Sequence, residues 1–428
     1  MDFPTVKWDR LFAKRTELMR RSAIRELLKV AARPEIISFA GGLPASELFP
    51  MERVKEALAS VVDRVGPRSL QYSETEGLPE LREWIAREFS PCRGPGDESI
   101  PELTVDCGLG TVDSNRGLVT SSPTISAENV LITSGAQQAL DLVGRVLLDE
   151  GDTVVVENPT YLALLSAWRP LGVRFVPIGS DANGMRVDEL PGIIGRHRPK
   201  LVYLTPNFQN PQGTTLSLER RLTIMAVLRE HGIPVLEDNP YGELRYEGES
   251  LPHLLSLDGC RTRPGPDHVI YTGSFSKVLM PGLRVGWIIA ANEVIEKLVQ
   301  AKQAADLQTS TLSQHLVLEL LSRGVREEML PVLLKNYRKR RDAMLSALER
   351  YFPSDCTWTR PEGGMFLMLK LAGLDARELL PEALRRGVAF VPGEEFHLNG
   401  EGKETMRLNF SNSSPDRIDQ GIKRLATS

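Results

Sequence analysis

The sequence predicts an α/β fold, with a large domain built on a mostly parallel, doubly wound sheet and a smaller α+β domain after it. Three observations lead to this prediction. Short β-rich runs alternate with helical patterns from about residue 130 to residue 290. Those runs are almost continuously apolar, as in strands that are buried on both faces. The length of 428 residues allows more than one hydrophobic core.

Seven apolar runs are predicted to be strands of the large domain. They cover residues 130–133, 153–156, 173–176, 201–204, 235–237, 269–271 and 285–289. A helix is predicted after the first run, over residues 138–148, and two more after the last run, over residues 293–307 and 312–321.

The remaining sequence predicts a long helix over residues 327–350 that leads into a second domain. Short strands are predicted there over residues 357–359, 365–368, 388–391 and 406–410, with helices over residues 376–386 and 415–425. We therefore expect a large domain of residues 51–325 and a small domain of residues 326–428. Residues 1–50 are expected to pack against the small domain as an arm, because so short a segment cannot form a core alone.

Residues 91–123 interrupt the pattern of strands and helices. This segment is rich in Gly, Ser, Pro and Thr, has little periodic apolar character and is longer than most connections in compact domains. We interpret it as an inserted surface loop. A lid or an oligomer contact is the functional alternative.

Charge and cysteine content argue against several classes of protein. The net charge of -4 and the scattered Lys and Arg residues do not suit nucleic acid or anionic lipid. The densest basic run, residues 335–341, is predicted to be a solvated face of the long helix. Four widely spaced cysteines indicate neither a metal site nor a disulfide framework. Without a signal peptide or an apolar run near the ~20 residues of a membrane span, we expect a cytoplasmic protein.

The most informative motif surrounds Lys277, which follows Ser274 and Ser276 and precedes Arg284 by seven residues. A lysine amine can condense with an aldehyde, while hydroxyls and a guanidinium group can neutralise a phosphate. The motif therefore predicts a site for a phosphorylated aldehyde cofactor. The alternative is a surface lysine in a loop rich in Gly and Ser.

A second motif follows the first predicted strand and opens a helix. It consists of Ser134, Gly135, Ala136 and Gln137. Backbone N–H groups at the start of a helix can bind an anion, so the motif predicts a cradle for the phosphate. Ordinary capping of the helix is the alternative.

Further candidates lie at or after the ends of other predicted strands, where open parallel sheets bind their ligands. Asp238 beside a pyridine nitrogen would favour the protonated ring, which accepts electrons better. Tyr241 and Asn210 are candidates for binding the ring hydroxyl, and Tyr161 for stacking on the ring. The fork of Arg407 suits a substrate carboxylate. Helix caps, turns, a core tyrosine and a solvent-facing arginine are the alternatives for these residues.

Together these motifs resemble the pyridoxal phosphate enzymes of fold type I, specifically the class I/II aminotransferases, over nearly the whole chain. The resemblance implies pyridoxal 5'-phosphate as cofactor, with Lys277 bonded to its aldehyde carbon and Ser274, Ser276 and Arg284 binding its phosphate. The residues that it implies around the ring and the substrate are Asp238 at the pyridine nitrogen, Asn210 and Tyr241 at the ring hydroxyl, Tyr161 stacked on the ring and Arg407 on the substrate carboxylate. Lys277, Asp238 and Tyr161 are the predicted catalytic residues.

Residues 22–28, 38–50 and 70–77 further resemble the 2-aminoadipate and kynurenine aminotransferase branch of this family. The resemblance implies that Arg25 helps to recognise the substrate side chain and that Gly42, Tyr72 and Asn210 lie against the substrate. It also implies that Tyr72 reaches the cofactor phosphate of a neighbouring subunit, and hence a homodimer with shared sites. The insertion departs from this branch, where the connection is short. An arginine solvated on an amphipathic helix is the alternative for Arg25.

We predict reversible transfer of an amino group from an L-amino acid to a 2-oxo acid such as 2-oxoglutarate. The donor is expected to be 2-aminoadipate-like, aromatic or one of a broad range. One alternative is a lyase, decarboxylase or cyclase reaction with the same cofactor, because fold and cofactor do not fix the outcome. A second alternative, the effector domain of a transcription regulator, needs a DNA-binding domain ahead of Ser38, for which we expect no room.

Overall fold

The computed structural model describes residues 5–19, 27, 33–90, 123–259 and 265–428. Two predictions fall outside these residues: the position of Arg25, and all of the 91–123 insertion except its last residue. In the described residues the strands are Ile37–Ser38 (β1), Val130–Thr133 (β2), Thr153–Asn158 (β3), Arg174–Asp181 (β4), Gly184–Met185 (β5), Leu201–Leu204 (β6), Val235–Asp238 (β7), Val269–Ser274 (β8), Gly286–Ile289 (β9), Thr357–Trp358 (β10), Phe366–Lys370 (β11), Val388–Ala389 (β12), Val391–Pro392 (β13) and Thr405–Asn409 (β14).

The α-helices of the described residues are numbered in the same way. They are Met51–Val65 (α1), Pro79–Phe89 (α2), Ala136–Leu147 (α3), Leu162–Trp168 (α4), Leu190–His197 (α5), Leu218–His231 (α6), Asn292–Ala305 (α7), Thr311–Ser322 (α8), Val325–Tyr351 (α9), Ala376–Arg385 (α10) and Pro415–Ala426 (α11). None of the described helices is both long enough and apolar enough to span a membrane.

The central sheet has eight strands in the order β2-β9-β8-β7-β6-β3-β4-β5. Strands β4, β3, β6, β7 and β8 pair in parallel. Strand β9 runs antiparallel between β8 and β2, so β2 points the same way as β8. The carboxyl ends of β2, β3, β6, β7 and β8 therefore lie along one edge of the sheet, and the predicted mostly parallel sheet is confirmed.

Alternate residues of the central strands pack into two different apolar cores, one on each face of the sheet. In β3, Val155 belongs to one core, while Val154 and Val156 belong to the other. In β6, Val202 and Tyr203 are divided in the same way. Burial on both faces explains why these runs of sequence are continuously apolar.

A four-stranded antiparallel sheet in the order β10-β11-β14-β13 forms the second layer of structure. The single strand predicted over residues 388–391 is wrong, because the chain divides it between two sheets. Strand β12 pairs in parallel with β1, whereas β13 pairs with β14. Phe390 lies between the two strands and is fully buried. An apolar run indicates burial but does not indicate which strand it pairs with.

The segment before α1 contacts the second half of the chain. Ile37 pairs with Val388, and the side chains of Ile37 and Phe39 pack in one core with Leu408 and Ile422. These contacts agree with an arm on the small domain. The domain boundaries at residues 50 and 325 stay a prediction.

The basic run of residues 335–341 is a solvated helix face only in part: Lys335, Arg338 and Lys339 are exposed, whereas the prediction is wrong for Arg340 and Arg341. Arg340 and Arg341 lie on α9 and are 6% and 4% exposed. The guanidinium of Arg341 donates to the Glu247 carboxylate at 2.7 Å and 3.0 Å, and that of Arg340 bonds to Glu47 and the Ser411 carbonyl. Buried charges need such partners, which come from distant segments that a local count of charges does not take into account.

Candidate active site

A cavity lies at the sheet edge where β3, β6, β7 and β8 end. The residues that line it are Ala136, Gln137, Tyr161, Thr205, Asn210, Asp238, Pro240, Tyr241, Ser274, Ser276, Lys277 and Arg284. All of these except Thr205 and Pro240 are residues that the sequence predicted for the cofactor site. The structure therefore brings together motifs from five separate stretches of sequence.

Lys277 lies three residues after the end of β8 and is half-buried. Its Nζ donates to the Gly42 carbonyl at 3.0 Å and lies 5.9 Å from the centre of the Tyr241 ring. Burial, together with the charges of Arg407 and Arg284, lowers the pKa of Lys277 from 10.5 to about 8. A lower pKa gives a larger fraction of neutral amine near neutral pH, which is the nucleophilic and basic form.

The hydroxyls of Ser274 and Ser276 lie 2.8 Å apart, and both residues line the cavity together with Arg284. Arg284 has a left-handed backbone with φ 55°, and its guanidinium lies against Gly135. A Cβ atom on Gly135 would come within 2.4 Å of Arg284 Nη2, and one on Gly286 within 2.8 Å of the Gly135 carbonyl carbon. Both glycines are therefore needed for the close packing of the turn and the guanidinium.

Ser134 is placed behind this turn and does not belong to the cavity lining. Its N–H donates to Gln138 Oε1 at 2.7 Å, its hydroxyl donates to Asp306 Oδ2 at 3.0 Å, and its carbonyl accepts from Arg284 Nη2 at 2.8 Å. All its polar groups have protein partners. Its carbonyl contacts Arg284, and a direct role of Ser134 in cofactor binding stays a prediction. Gly135 likewise lies against that guanidinium rather than in the lining.

Asp238 is the last residue of β7 and is 3% exposed. Its Oδ2 accepts a hydrogen bond from the Tyr203 hydroxyl at 2.8 Å, while Oδ1 has no hydrogen-bond partner among the described residues. Burial raises the pKa of Asp238 to about 7, against the effect of the Tyr203 hydrogen bond. A buried carboxylate oxygen without a partner is costly, so the site fits a cation at Oδ1.

The sequence did not identify the polar groups behind Asp238. Tyr203 lies in a run that predicts an apolar strand, and its hydroxyl reaches Asp238 because β6 and β7 are neighbours. Glu157 on β3 is 2% exposed and accepts a hydrogen bond from the Thr205 N–H at 2.9 Å. The sequence does contain a signal for these groups: a phenol and a carboxylate lie near the carboxyl ends of otherwise apolar strands.

Burial raises the pKa of Glu157 from 4.5 to about 8, with the charge of Asp238 as a lesser cause. The folded protein therefore binds this proton more tightly than the unfolded chain does. The protonated Glu157 therefore stabilises the folded protein fully below about pH 4.5, and this stabilisation is lost as the pH rises through about 8. We expect the stability of the cofactor-free protein, relative to Glu157→Gln, to fall by on the order of 1 kcal/mol per pH unit between about pH 5 and 8.

Urea denaturation of both proteins at several pH values measures this difference. Glu52→Gln is the matched control, because the Glu52 side chain is 81% exposed. If the difference between wild type and Glu157→Gln does not change with pH, the buried carboxyl group does not titrate in this range.

Arg407 lies on β14 and is 3% exposed. Its Nη1 donates to Asn210 Oδ1 at 2.8 Å, its Nη2 donates to the Ala40 carbonyl, and its guanidinium lies 4.4 Å from the centre of the Phe366 ring. Burial lowers the pKa of Arg407 to about 10, which still leaves it charged at neutral pH. Its Nε has no hydrogen-bond partner among the described residues. A charged donor next to Asn210 thus remains available for an acidic group.

Two other predicted residues are placed differently. Gly42 lies beside the cavity, where its carbonyl accepts from Lys277, and a Cβ atom on it would come within 2.7 Å of Phe366. Tyr72 is 77% exposed and does not belong to the cavity lining of its own chain. In the described residues, no group of three or more His, Cys, Asp and Glu side chains could hold a metal ion.

The cavity fits pyridoxal 5'-phosphate by three features of the structure. Lys277 provides an amine of lowered pKa, Ser274, Ser276 and Arg284 provide hydroxyl and guanidinium groups for a phosphate, and Asp238 Oδ1 provides a carboxylate oxygen for a protonated ring nitrogen. These groups come from different strand ends and face one small cavity.

Residues 34–425 match the family model of aminotransferase class I and II. The chain belongs to this family. This aminotransferase is 42% identical to a 2-aminoadipate transaminase of Thermus thermophilus, over 98% of this chain and 96% of that one. It is 39% identical to an aromatic-amino-acid aminotransferase of Thermococcus litoralis, over 100% and 95% of the two chains.

A solved structure of the alpha-aminoadipate aminotransferase from Thermus thermophilus, complexed with N-(5'-phosphopyridoxyl)-L-leucine, matches with a TM-score of 0.85. The two chains are 41% identical, and the match covers 99% of this aminotransferase and 98% of that chain. The predicted family, fold type I architecture and cofactor are confirmed. The protein is a pyridoxal phosphate-dependent enzyme that transfers an amino group from an amino acid to a 2-oxo acid.

Proposed function

We propose that this aminotransferase accepts L-amino acids with 2-aminoadipate-like or aromatic side chains, or a broad range that includes both, and uses 2-oxoglutarate as an acceptor. The observation that carries this proposal is Arg407, a buried cation with an unpartnered Nε beside Asn210. A planar guanidinium suits the carboxylate that amino acids and 2-oxo acids share. The names of the two relatives support the choice of side chain.

The bound cofactor supplies an aldehyde that takes up the amino group and a ring that withdraws electrons. In our proposal Lys277 removes the proton from the substrate Cα. The same amine then delivers the proton to the cofactor carbon that carries the aldehyde. Asp238 holds a proton on the ring nitrogen through its negative charge. Tyr161 packs against the ring.

The remaining roles in the proposal concern binding. Burial raises the pKa of the Tyr241 phenol above its usual value, so it stays a hydrogen-bond donor, and with Asn210 it is proposed to bind the ring hydroxyl. Ala136 and Gln137 at the start of α3 offer backbone N–H groups to the phosphate, beside the two serines and Arg284. The lowered pKa of Lys277 favours the neutral amine for proton transfer.

We also propose that the enzyme is a cytoplasmic homodimer in which Tyr72 reaches the partner's cofactor phosphate. The proposal is supported by two exposed apolar side chains on neighbouring loops, Leu70 at 74% and Leu307 at 46%. These loops are joined by hydrogen bonds, including one from Thr311 Oγ1 to the Gln71 carbonyl at 2.8 Å. A second subunit would cover these side chains.

A panel of amino donors with 2-oxoglutarate tests the proposal. We expect 2-aminoadipate or phenylalanine to react well. We also expect 2-phenylethylamine, which matches phenylalanine without the carboxylate, to react at least about tenfold more slowly, because it cannot bind Arg407. The measurement is glutamate formation, or pyridoxamine phosphate formation in the absence of the acceptor.

The same panel separates the alternatives. Release of ammonia or carbon dioxide without pyridoxamine phosphate would indicate a lyase or decarboxylase. If acidic and aromatic donors both fail while other amino acids react, the proposed part of Arg25 in selecting the side chain is wrong.

A further inference from the structure

A fully buried lysine lies behind the phosphate turn. Lys302, in the last turn of α7, is 0% exposed. Its Nζ donates to Asp306 Oδ1 at 2.6 Å, and the other oxygen of that carboxylate accepts from the Ser134 hydroxyl at 3.0 Å. Asp306 thus joins a buried cation to the residue that precedes Gly135.

The hydrogen bonds continue from Ser134 to the cavity. The Ser134 carbonyl accepts from Arg284 Nη2 at 2.8 Å, and Arg284 lines the cavity. A series of hydrogen bonds therefore runs from Lys302 through Asp306 to the Ser134 hydroxyl, and from the Ser134 main-chain carbonyl to the guanidinium proposed for the phosphate. We call these four residues the phosphate support. Lys302 and Asp306 do not belong to the cavity lining, and the hydrogen bonds connect them to it through Ser134.

The charges of the phosphate support explain its composition. A hydroxyl donates more strongly to a carboxylate than to a neutral acceptor, so Asp306 fixes the Ser134 side chain firmly. A carboxylate alone near a phosphate would repel it, and Lys302 compensates that charge. Only the Lys302 end of this ion pair is buried, since the Asp306 side chain is 27% exposed.

We propose that Asp306, compensated by Lys302, is a positioning residue that fixes the Ser134 turn and so orients Arg284 toward the cofactor phosphate. This inference rests on the proposed phosphate-binding role of Arg284 and the turn. It predicts that Ser134 affects cofactor affinity only through Asp306, although Ser134 belongs to the motif that the sequence assigned to direct binding.

A double-mutant cycle tests this coupling. The variants are Ser134→Ala, Asp306→Asn and the double variant, and the readout is the dissociation constant for pyridoxal phosphate measured by titration of the cofactor-free protein. We expect Ser134→Ala to weaken binding by about tenfold, the value of one hydrogen bond to a charged group. In the Asp306→Asn background the same change should weaken binding by less than about threefold.

Two further measurements separate positioning from general stability. The melting temperature of cofactor-free Ser134→Ala should equal that of wild type within about 2 °C, since Asp306 keeps Lys302 as partner. Asp141→Asn is the matched control, because Asp141 lies on the surface of α3 in an ion pair with Arg145 at 2.8 Å. Cofactor affinity of this control should be unchanged.

The results distinguish failure of the inference about Asp306 from failure of the proposed function. If Ser134→Ala weakens binding equally in both backgrounds, Ser134 contacts the cofactor directly and the phosphate support is wrong. If wild type itself binds no pyridoxal phosphate, the proposed function fails before the cycle is measured. If Asp306→Asn does not fold, the cycle is repeated with Asp306→Glu, which keeps the charge for Lys302 but displaces the carboxylate from Ser134; equal losses in both backgrounds again overturn the inference.

Discussion

Replacing Lys277 with alanine is expected to lower kcat by about 10⁴-fold or more, the largest effect of any single substitution in this chain. The variant loses both the amine that bonds to the cofactor and the base that moves the substrate proton. The half-buried position of Lys277 and its pKa of about 8 suit both tasks. Stopped-flow measurement of the half-reaction with amino acid alone reports the chemical step.

Two variants control this result. Lys277→Arg keeps the positive charge without a usable amine and should be as inactive as the alanine variant. Lys200→Ala removes a lysine that pairs with Asp152 on the surface, at 45% side-chain exposure, and should keep wild-type activity. A Lys277→Ala protein with kcat within about tenfold of wild type would contradict the assignment of the base.

Asp238→Asn is expected to lower kcat by about 10³-fold while the cofactor stays bound through its phosphate. Asparagine is close to aspartate in shape, but its neutral amide cannot favour a protonated ring nitrogen. The buried, unpartnered Oδ1 of Asp238 suits a cation at that position, and burial raises the pKa of this carboxyl group to about 7. The absorbance spectrum of the bound cofactor and the rate of the half-reaction measure the effect.

Tyr203→Phe gives a graded comparison for Asp238. It removes the hydrogen bond to Oδ2 but keeps the negative charge, so we expect a loss of only about tenfold. If Tyr203→Phe costs as much as Asp238→Asn, the geometry of the carboxylate matters more than its charge. If neither variant loses activity, Asp238 does not control the ring nitrogen.

The sequence predicts the residues of the candidate site better than the residues behind them, because the site motifs come at or just after the ends of strands. Asp238, Lys277 and Tyr161 each come at or just after a strand that ends at the same edge of the sheet, and strand ends are visible in the apolar pattern. Tyr203 was not recognised, since its contact with Asp238 depends on the pairing of β6 with β7. A local run of residues does not predict which strands become neighbours in the sheet.

Contacts between distant segments account for the other differences. The Ser134 hydroxyl donates to Asp306, which no motif connects to it. Arg340 and Arg341 form part of a basic run that predicts exposure, yet Glu47 and Glu247 pair with them from elsewhere in the chain. Residues 388–391 look like one strand because periodicity records burial and not the identity of the partner.

The pairing of β1 with β12 also sets an order of events in folding. Ile37 pairs with Val388, roughly 350 residues later, so this contact closes one of the longest possible loops in the chain. On the ribosome, the N-terminal segment waits on the order of tens of seconds for its partner strand to be synthesised. Ile37 and Phe39 cannot reach their native core with Leu408 and Ile422 before that synthesis is complete.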